Sequence, residues 1–186
     1  MRQSAPTSSA DDPSPWLRRA LTRFGLRPHR FLEIACGYGR NTAHLLAFGA
    51  SGVVVDVDER CLTALAVSCA AELRADRLVL HRLDEQVFLD ACSEEYDLVC
   101  CTDYWRAGLV TDLARRVRDV GWVVMHTPSA RGGNYLALPA GAEFMREVVA
   151  SRLEVMECQL TFAGRAGTDQ VTAKLVARKA NTVRAL

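Results

Sequence analysis

The stretch Phe31-Leu32-Glu33-Ile34-Ala35-Cys36-Gly37-Tyr38-Gly39-Arg40-Asn41-Thr42 constrains the fold more than any other part of the chain. Residues 31–35 have the pattern of a short buried strand, and a helical pattern then runs to about Phe48. Between them, Gly37 and Gly39 remove side chains where the backbone must bend sharply and where a ligand can approach closely. A strand passing through such a turn into a helix opens a βα unit. Ligands of open α/β sheets bind beyond the carboxyl ends of the strands, and this turn lies there.

The alternation continues along the chain. Ser14 and Pro15 read as cap and first turn of a helix carrying Trp16, Leu17, Ala20, Leu21 and Phe24 at helical spacing, with Gly25 as its stop. Strand patterns at 52–57, 78–83, 96–101 and 122–126 are interleaved with helical patterns at 61–73 and 110–117. Such spacing implies parallel strands covered on both faces. A loop with Pro128, Gly132, Gly133 and Pro139 then leads to a helix around 144–150 and two longer strands, 153–162 and 170–178. The connector 163–169 is too short for a crossover helix, so the last two strands should form an antiparallel hairpin. The predicted architecture is a Rossmann-like, doubly wound α/β fold: a mostly parallel seven-stranded sheet with an antiparallel C-terminal hairpin. Residues 1–13, rich in Ser, Ala, Pro and Asp, read as a disordered leader, and 14–186 as one domain.

Composition narrows the function classes. A net charge of +1 predicts no strong attraction to nucleic acid or to an anionic membrane surface. No apolar run approaches the roughly 20 residues that cross a bilayer. A secretory signal pattern is also missing from the first residues, so a cytoplasmic location is expected. Seven cysteines, with no C-x-x-C pair, argue against a disulfide framework or a zinc site, and no metal is expected. Adjacent strand residues point to opposite faces, so Cys100 and Cys101 are assigned to core packing.

Two acids accompany the glycine turn. Glu33 ends the first strand, where a carboxylate can favour an ammonium group directly or through water. Asp56 ends the second, where a carboxylate can accept both hydroxyls of a ribose. Together Glu33-x-Ala35-x-Gly37-x-Gly39 and Asp56 resemble the first two motifs of class I S-adenosylmethionine (SAM)-dependent methyltransferases. Leu83-Asp84-Glu85 resembles the next motif, and Tyr96-Asp97-Leu98-Val99 the fourth strand. The resemblance covers roughly residues 31–125. It implies SAM as cofactor, contacted by Glu33, Ala35, Gly37, Tyr38, Gly39, Asp56, Val57, Asp84 at the adenine amino group, and Thr102 at the methionine end. Ala35 stands where the family has its first glycine, which the turn should tolerate if φ stays negative there. Gly37-Tyr38-Gly39-Arg40-Asn41, with Gly133-Asn134-Tyr135 and Leu138-Pro139, further resembles the tellurite-resistance methyltransferase group.

Methyl transfer demands chiefly alignment of nucleophile, methyl and sulfur in a dry pocket. A base helps only a protonated acceptor. His126, at the end of strand five, is the candidate base; the alternative is a hydrogen-bonded strand-end histidine. Tyr104 and Trp105 either wall an acceptor pocket or cover the end of the sheet. His29, His44 and His81 read as structural, and the leader together with the helix carrying Trp16 and Phe24 reads as a lid. A bulky residue at Gly39 should obstruct the ligand while leaving the fold intact.

The favoured acceptor is a small molecule, since there is no basic stripe and no base-recognition domain. The acceptor's identity and the oligomeric state are left open by the sequence. Two other functions compete. A nicotinamide-dependent oxidoreductase needs G-x-G-x-x-G, but Thr42 stands at the third glycine. A non-catalytic SAM-fold partner subunit would be marked by loss of the turn glycines or of the strand-two acid, and both are kept.

Overall fold

The computed structural model describes residues 12–127, 139–163 and 170–181. In chain order the elements are α1 (Pro15–Arg23), β1 (Arg30–Ile34), α2 (Arg40–Ala47), β2 (Ser51–Asp56), α3 (Glu59–Ser68), α4 (Ala70–Arg74) and β3 (Leu78–Arg82). There follow α5 (Glu85–Ala91), β4 (Tyr96–Thr102), α6 (Leu109–Arg116), β5 (Val117–His126), α7 (Pro139–Ala150), β6 (Glu154–Ala163) and β7 (Gln170–Arg178). The strands form one sheet in the order β3-β2-β1-β4-β5-β7-β6. Strands β1 to β5 pair in parallel, and β7 runs antiparallel between β5 and β6. The doubly wound sheet with a C-terminal hairpin is therefore the architecture of this chain.

Near-continuous apolar runs in the central strands require cover on both faces, and the helices supply it. One face packs Leu32, Ile34, Val53, Val99 and Met125 against Leu89 of α5, Leu113 of α6 and Phe144 of α7. The opposite face packs Phe31, Val54, Leu98 and Val124 against Leu17 of α1, Leu45 of α2 and Leu65 of α3. Cys101 lies in the first cluster and Cys100 in the second, as their adjacency on β4 requires. Gly52 of β2 makes room for Phe31: a Cβ there would lie 2.3 Å from the ring.

Several elements differ from the sequence reading. The helix expected over 61–73 is two helices, broken at Cys69, whose backbone (φ −110°, ψ 29°) departs from helical geometry. The short α5 was not anticipated, although Asp84 caps it by accepting from the amides of Gln86 and Val87. Strand β5 begins at Val117 rather than Trp122, because Val117 pairs with Tyr96 before a register shift, and Val120 is kinked at φ +59°. Helix α7 begins at Pro139, five residues before the expected start. Ser14 precedes α1 without a side-chain cap bond; its backbone amide instead donates to Asn41 Oδ1 at 2.8 Å. Helix α1 is no lid over the site: Trp16, Leu17, Ala20 and Leu21 are buried in the core, and Trp16 Nε1 donates to the Leu175 carbonyl. The expected leader through residue 11, Gly133-Asn134-Tyr135 and Leu138 lie outside the described residues. Among the described residues, no helix is long and apolar enough to cross a membrane.

Candidate functional site

Between β1 and α2 the backbone is left-handed at Ala35 (φ +53°), Gly37 (+52°) and Gly39 (+78°). Ala35 thus does not keep a negative φ. The turn reverses so sharply that the position favours glycine, and alanine accepts a cost of about 1–2 kcal/mol. At Gly37 a Cβ would meet nothing within 4 Å, so that glycine serves conformation and open space. Gly39 is different. It is buried, and a Cβ there would lie 2.3 Å from Leu65 Cδ1. The expectation that a bulky residue at Gly39 would obstruct only a ligand is therefore corrected: it would collide with α3 in the core.

Two adjoining cavities open at this end of the sheet. One, of about 350 Å³, is lined by Ala35, Gly37, Tyr38, Arg40, Asn41 and Thr102, with Asp103 at its edge. The other, of about 220 Å³, is lined by Ala35, Asp56, Val57, Leu83, Glu85 and Tyr104, again with Asp103. The two residues common to both, Ala35 and Asp103, are both non-glycines with positive φ, Asp103 at +63°. Strained backbone thus sits where the two cavities join, a placement typical of functional clefts.

Asp56 stands in the wall of the second cavity. Its Oδ2 accepts from the Gly37 amide at 2.7 Å and its Oδ1 from the Asp58 amide at 2.9 Å. Each oxygen retains acceptor capacity for a further donor. Val57 and Tyr38 are exposed, Tyr38 to 70%.

Glu33 is buried beneath the first cavity rather than in its wall. Its Oε1 accepts from Asn41 Nδ2 at 3.0 Å and its Oε2 from Thr42 Oγ1 at 2.5 Å. Burial pushes the carboxyl up to about 7, against the opposing pull of the Thr42 and Asn41 bonds and the Arg40 charge. Asn41, which the sequence reading did not single out, is the hub here. It bonds Glu33, the Thr102 hydroxyl at 2.9 Å and the Ser14 amide, so α1, α2, β1 and β4 meet at one amide. No local motif signals this, because the partners are 8 to 61 residues away.

At the far end, the carboxylate in the cavity wall belongs to Glu85, not Asp84. Asp84 is exposed and spent on the α5 amides. Glu85 Oε1 accepts from Tyr104 Oη at 2.6 Å and Arg106 Nε at 2.9 Å, and Arg106 also pairs with Asp112 at 2.6 Å. Tyr104 therefore lines the cleft. Trp105 does not: it is buried against Phe144, ring centroids 5.3 Å apart, and belongs to the core.

His126 ends β5 beside Asp103, with Nδ1 3.6 Å from Asp103 Oδ1. Its Nε2 is buried and has no hydrogen-bond partner among the described residues. Asp103 Oδ2 is held by Arg40 Nη2 at 2.6 Å. Burial holds His126 below the ordinary histidine range; Asp103 opposes this, while Lys174 and Arg40 add to it. Arg40, Asp103 and Lys174 were not picked out individually from the sequence.

No family model matches the chain. Over 139 residues the chain is 27% identical to a ubiquinone biosynthesis O-methyltransferase from Thiobacillus denitrificans, across 72% of this chain but only 59% of that protein's length. Among solved structures, TehB from Haemophilus influenzae matches with a TM-score of 0.63 at 16% identity, covering 85% of this chain and 60% of TehB. Magnesium protoporphyrin IX methyltransferase from Synechocystis PCC 6803, solved with bound SAM, matches with a TM-score of 0.62 at 14% identity, covering 88% and 76%. Likeness at these identities is likeness of fold.

Proposed function

We propose, from the class I SAM-dependent methyltransferase fold that this chain carries, that it binds SAM in the two joined cavities and methylates a hydroxyl of a small molecule. One observation carries the reading: a single cleft runs from Asp56 and Glu85, past the left-handed Ala35 and Asp103, to Thr102 and the start of α2. The residues suit the cofactor. Asp56 offers free lone pairs to two ribose hydroxyls, and Glu85, oriented by Tyr104 and Arg106, offers a carboxylate to the adenine amino group. Helix α2 starts without a side-chain cap, so its N-terminus and Arg40 favour the methionine carboxylate. A dinucleotide fits less well, because Thr42 fills the third-glycine position and its hydroxyl is committed to Glu33.

SAM held there would supply an electrophilic methyl group, with its sulfur as the leaving atom. His126 supplies the base. With its Nδ1–H turned toward Asp103, the neutral imidazole keeps an Nε2 that has no partner among the described residues, and burial lowers its pKa, which favours the neutral form. Nε2 would accept the proton of the acceptor hydroxyl. The similar ubiquinone biosynthesis enzyme, by name an O-methyltransferase, supports an oxygen acceptor.

Thermal denaturation with SAM, S-adenosylhomocysteine (SAH), NAD and NADP tests the reading. SAM or SAH at a hundredfold excess over its dissociation constant should stabilise the protein by about 2.7 kcal/mol. Stabilisation by NAD and none by SAM would reverse it.

A further inference from the structure

Lys174 takes no part in the scheme above, yet it stands directly opposite His126 in the antiparallel β5–β7 register. Opposed residues of such a pair leave the sheet on the same face. That face is the one covered by α1, and the Lys174 ammonium lies 5.6 Å from the centroid of the Trp16 ring. Lys174 is one of only two lysines among 23 basic residues. The other, Lys179, is paired with Glu95 at 3.3 Å. Lys174 is half-buried, and among the described residues it forms no ion pair with a carboxylate. Asp103, the acid beside His126, is already neutralised by Arg40. Among the described residues, the group around a neutral His126 therefore carries one positive charge that no carboxylate pairs.

We infer that Lys174 recognises the acceptor: its ammonium binds a carboxylate on a small hydroxyl-bearing molecule and so holds the hydroxyl at His126 Nε2. The inference rests on the methyl-transfer reading and names its substrate class. A half-buried ammonium gains most from a charge-assisted bond to an anion. A single surplus charge is matched by a monoanionic carboxylate and poorly by a phosphate dianion. The ring of Trp16 beside the ammonium adds an aromatic contact that does not compete for the charge.

Calorimetry on the full chain saturated with SAH tests this. The probes are hydroxybenzoates and hydroxyalkanoates, each as the free acid and as its methyl ester, with hydroxyphenyl phosphate as the phosphate arm. At least one free acid should bind about tenfold or more tightly than its ester, the ratio expected of one charge-assisted bond. Lys174→Gln should abolish that ratio while SAH affinity stays within about twofold, and Lys174→Arg should retain part of it. Should the Gln variant fail to fold, the acid-to-ester ratio of the unaltered protein and of Lys174→Arg still decides. SAH that binds while esters bind as tightly as acids, while no acid binds, or while the phosphate is preferred, overturns the inference alone. Failure of SAH itself to bind overturns the methyl-transfer reading, and the inference with it.

Discussion

The Gly37 amide donates to Asp56 Oδ2 at 2.7 Å, so the carboxylate that ends β2 holds in place the turn that follows β1. The Asp58 amide takes the other oxygen at 2.9 Å. One side chain thus fixes two neighbouring strand ends and still presents acceptor sites to the cleft. The wall of the cleft and the turn beside it share a single residue.

Asp56→Ala should therefore do two things. It removes an acceptor from two backbone amides, which should cost about 1–3 kcal/mol of stability. It also removes the proposed ribose acceptor, so SAH affinity should fall further than the stability loss explains. Urea denaturation and calorimetry on the same variant separate the two effects. Unchanged SAH affinity in a folded Asp56→Ala protein would place the cofactor elsewhere.

Gly37 and Gly39 should respond differently to the same methyl group. Gly39→Ala drives a Cβ to within 2.3 Å of Leu65 Cδ1 at φ +78°, and should lose roughly 2–4 kcal/mol from overpacking and backbone strain combined. Gly37→Ala meets open space and should lose only about 1–2 kcal/mol of strain. It faces the cleft, however, so its main effect should be on SAH affinity. Equal stability losses at the two positions would contradict the packing described here.

What could be read from the sequence follows from the range of the interactions involved. The βα order and the turn glycines are local patterns, and the strand-two acid is fixed by its place at the end of a β-branched run. The contacts that make the cleft are not local. Asn41 serves the site only through Glu33, Thr102 and Ser14, which the fold alone assembles. Lys174 reaches His126 only by strand register. The exchange of Asp84 for Glu85 in the cavity wall turned on a single residue, because the sequence reading placed no helix at 85–91 and so left the first acid free of its role as cap.

Ala35→Gly should stabilise the protein, contrary to the usual effect of glycine. The residue sits at φ +53°, where alanine is strained by about 1–2 kcal/mol. Glycine relieves this at an unfolded-state entropy cost of about 0.4–1 kcal/mol. A gain of up to about 1 kcal/mol in urea denaturation is the expected outcome. A loss would mean that the alanine methyl packs favourably at the junction of the two cavities.

Glu33 should make stability fall with rising pH. Its carboxyl is held near 7 in the folded chain, against 4.5 as the ordinary value, so the folded state keeps a proton that the unfolded state releases. The contribution is fully present below about pH 4.5 and is lost as pH rises through 7, by on the order of 3 kcal/mol. Glu33→Gln can still accept from Asn41 and can donate to Thr42 Oγ1, so it should fold and should lose this slope between pH 5 and 8. Parallel stability–pH curves for the two proteins would show that Glu33 is not the titrating group.

His126 should titrate below 6.5, and its neighbours should move it in opposite directions. Burial lowers its pKa by disfavouring the imidazolium. Of the charged groups facing it, Asp103 raises the value, while Lys174 across the β5–β7 ladder and Arg40 from α2 lower it. Removing a cation favours the imidazolium, so Lys174→Gln should raise the pKa. Removing the anion disfavours it, so Asp103→Asn should lower the pKa further. The depressed value also has a stability consequence: the contribution of His126 is present above about 6.5 and is lost as pH falls through its folded value. If His126 is the base for methyl transfer, the acid limb of the rate profile should track the same two shifts. NMR titration of the four imidazoles in the SAH complex, with His126 assigned by its loss in His126→Gln, reads the pKa directly. Loosened packing would move both variants toward the exposed value of about 6.5. Shifts of opposite sign require the electrostatic arrangement at the end of β5, and a value at or above 6.5 in the unaltered protein would exclude it.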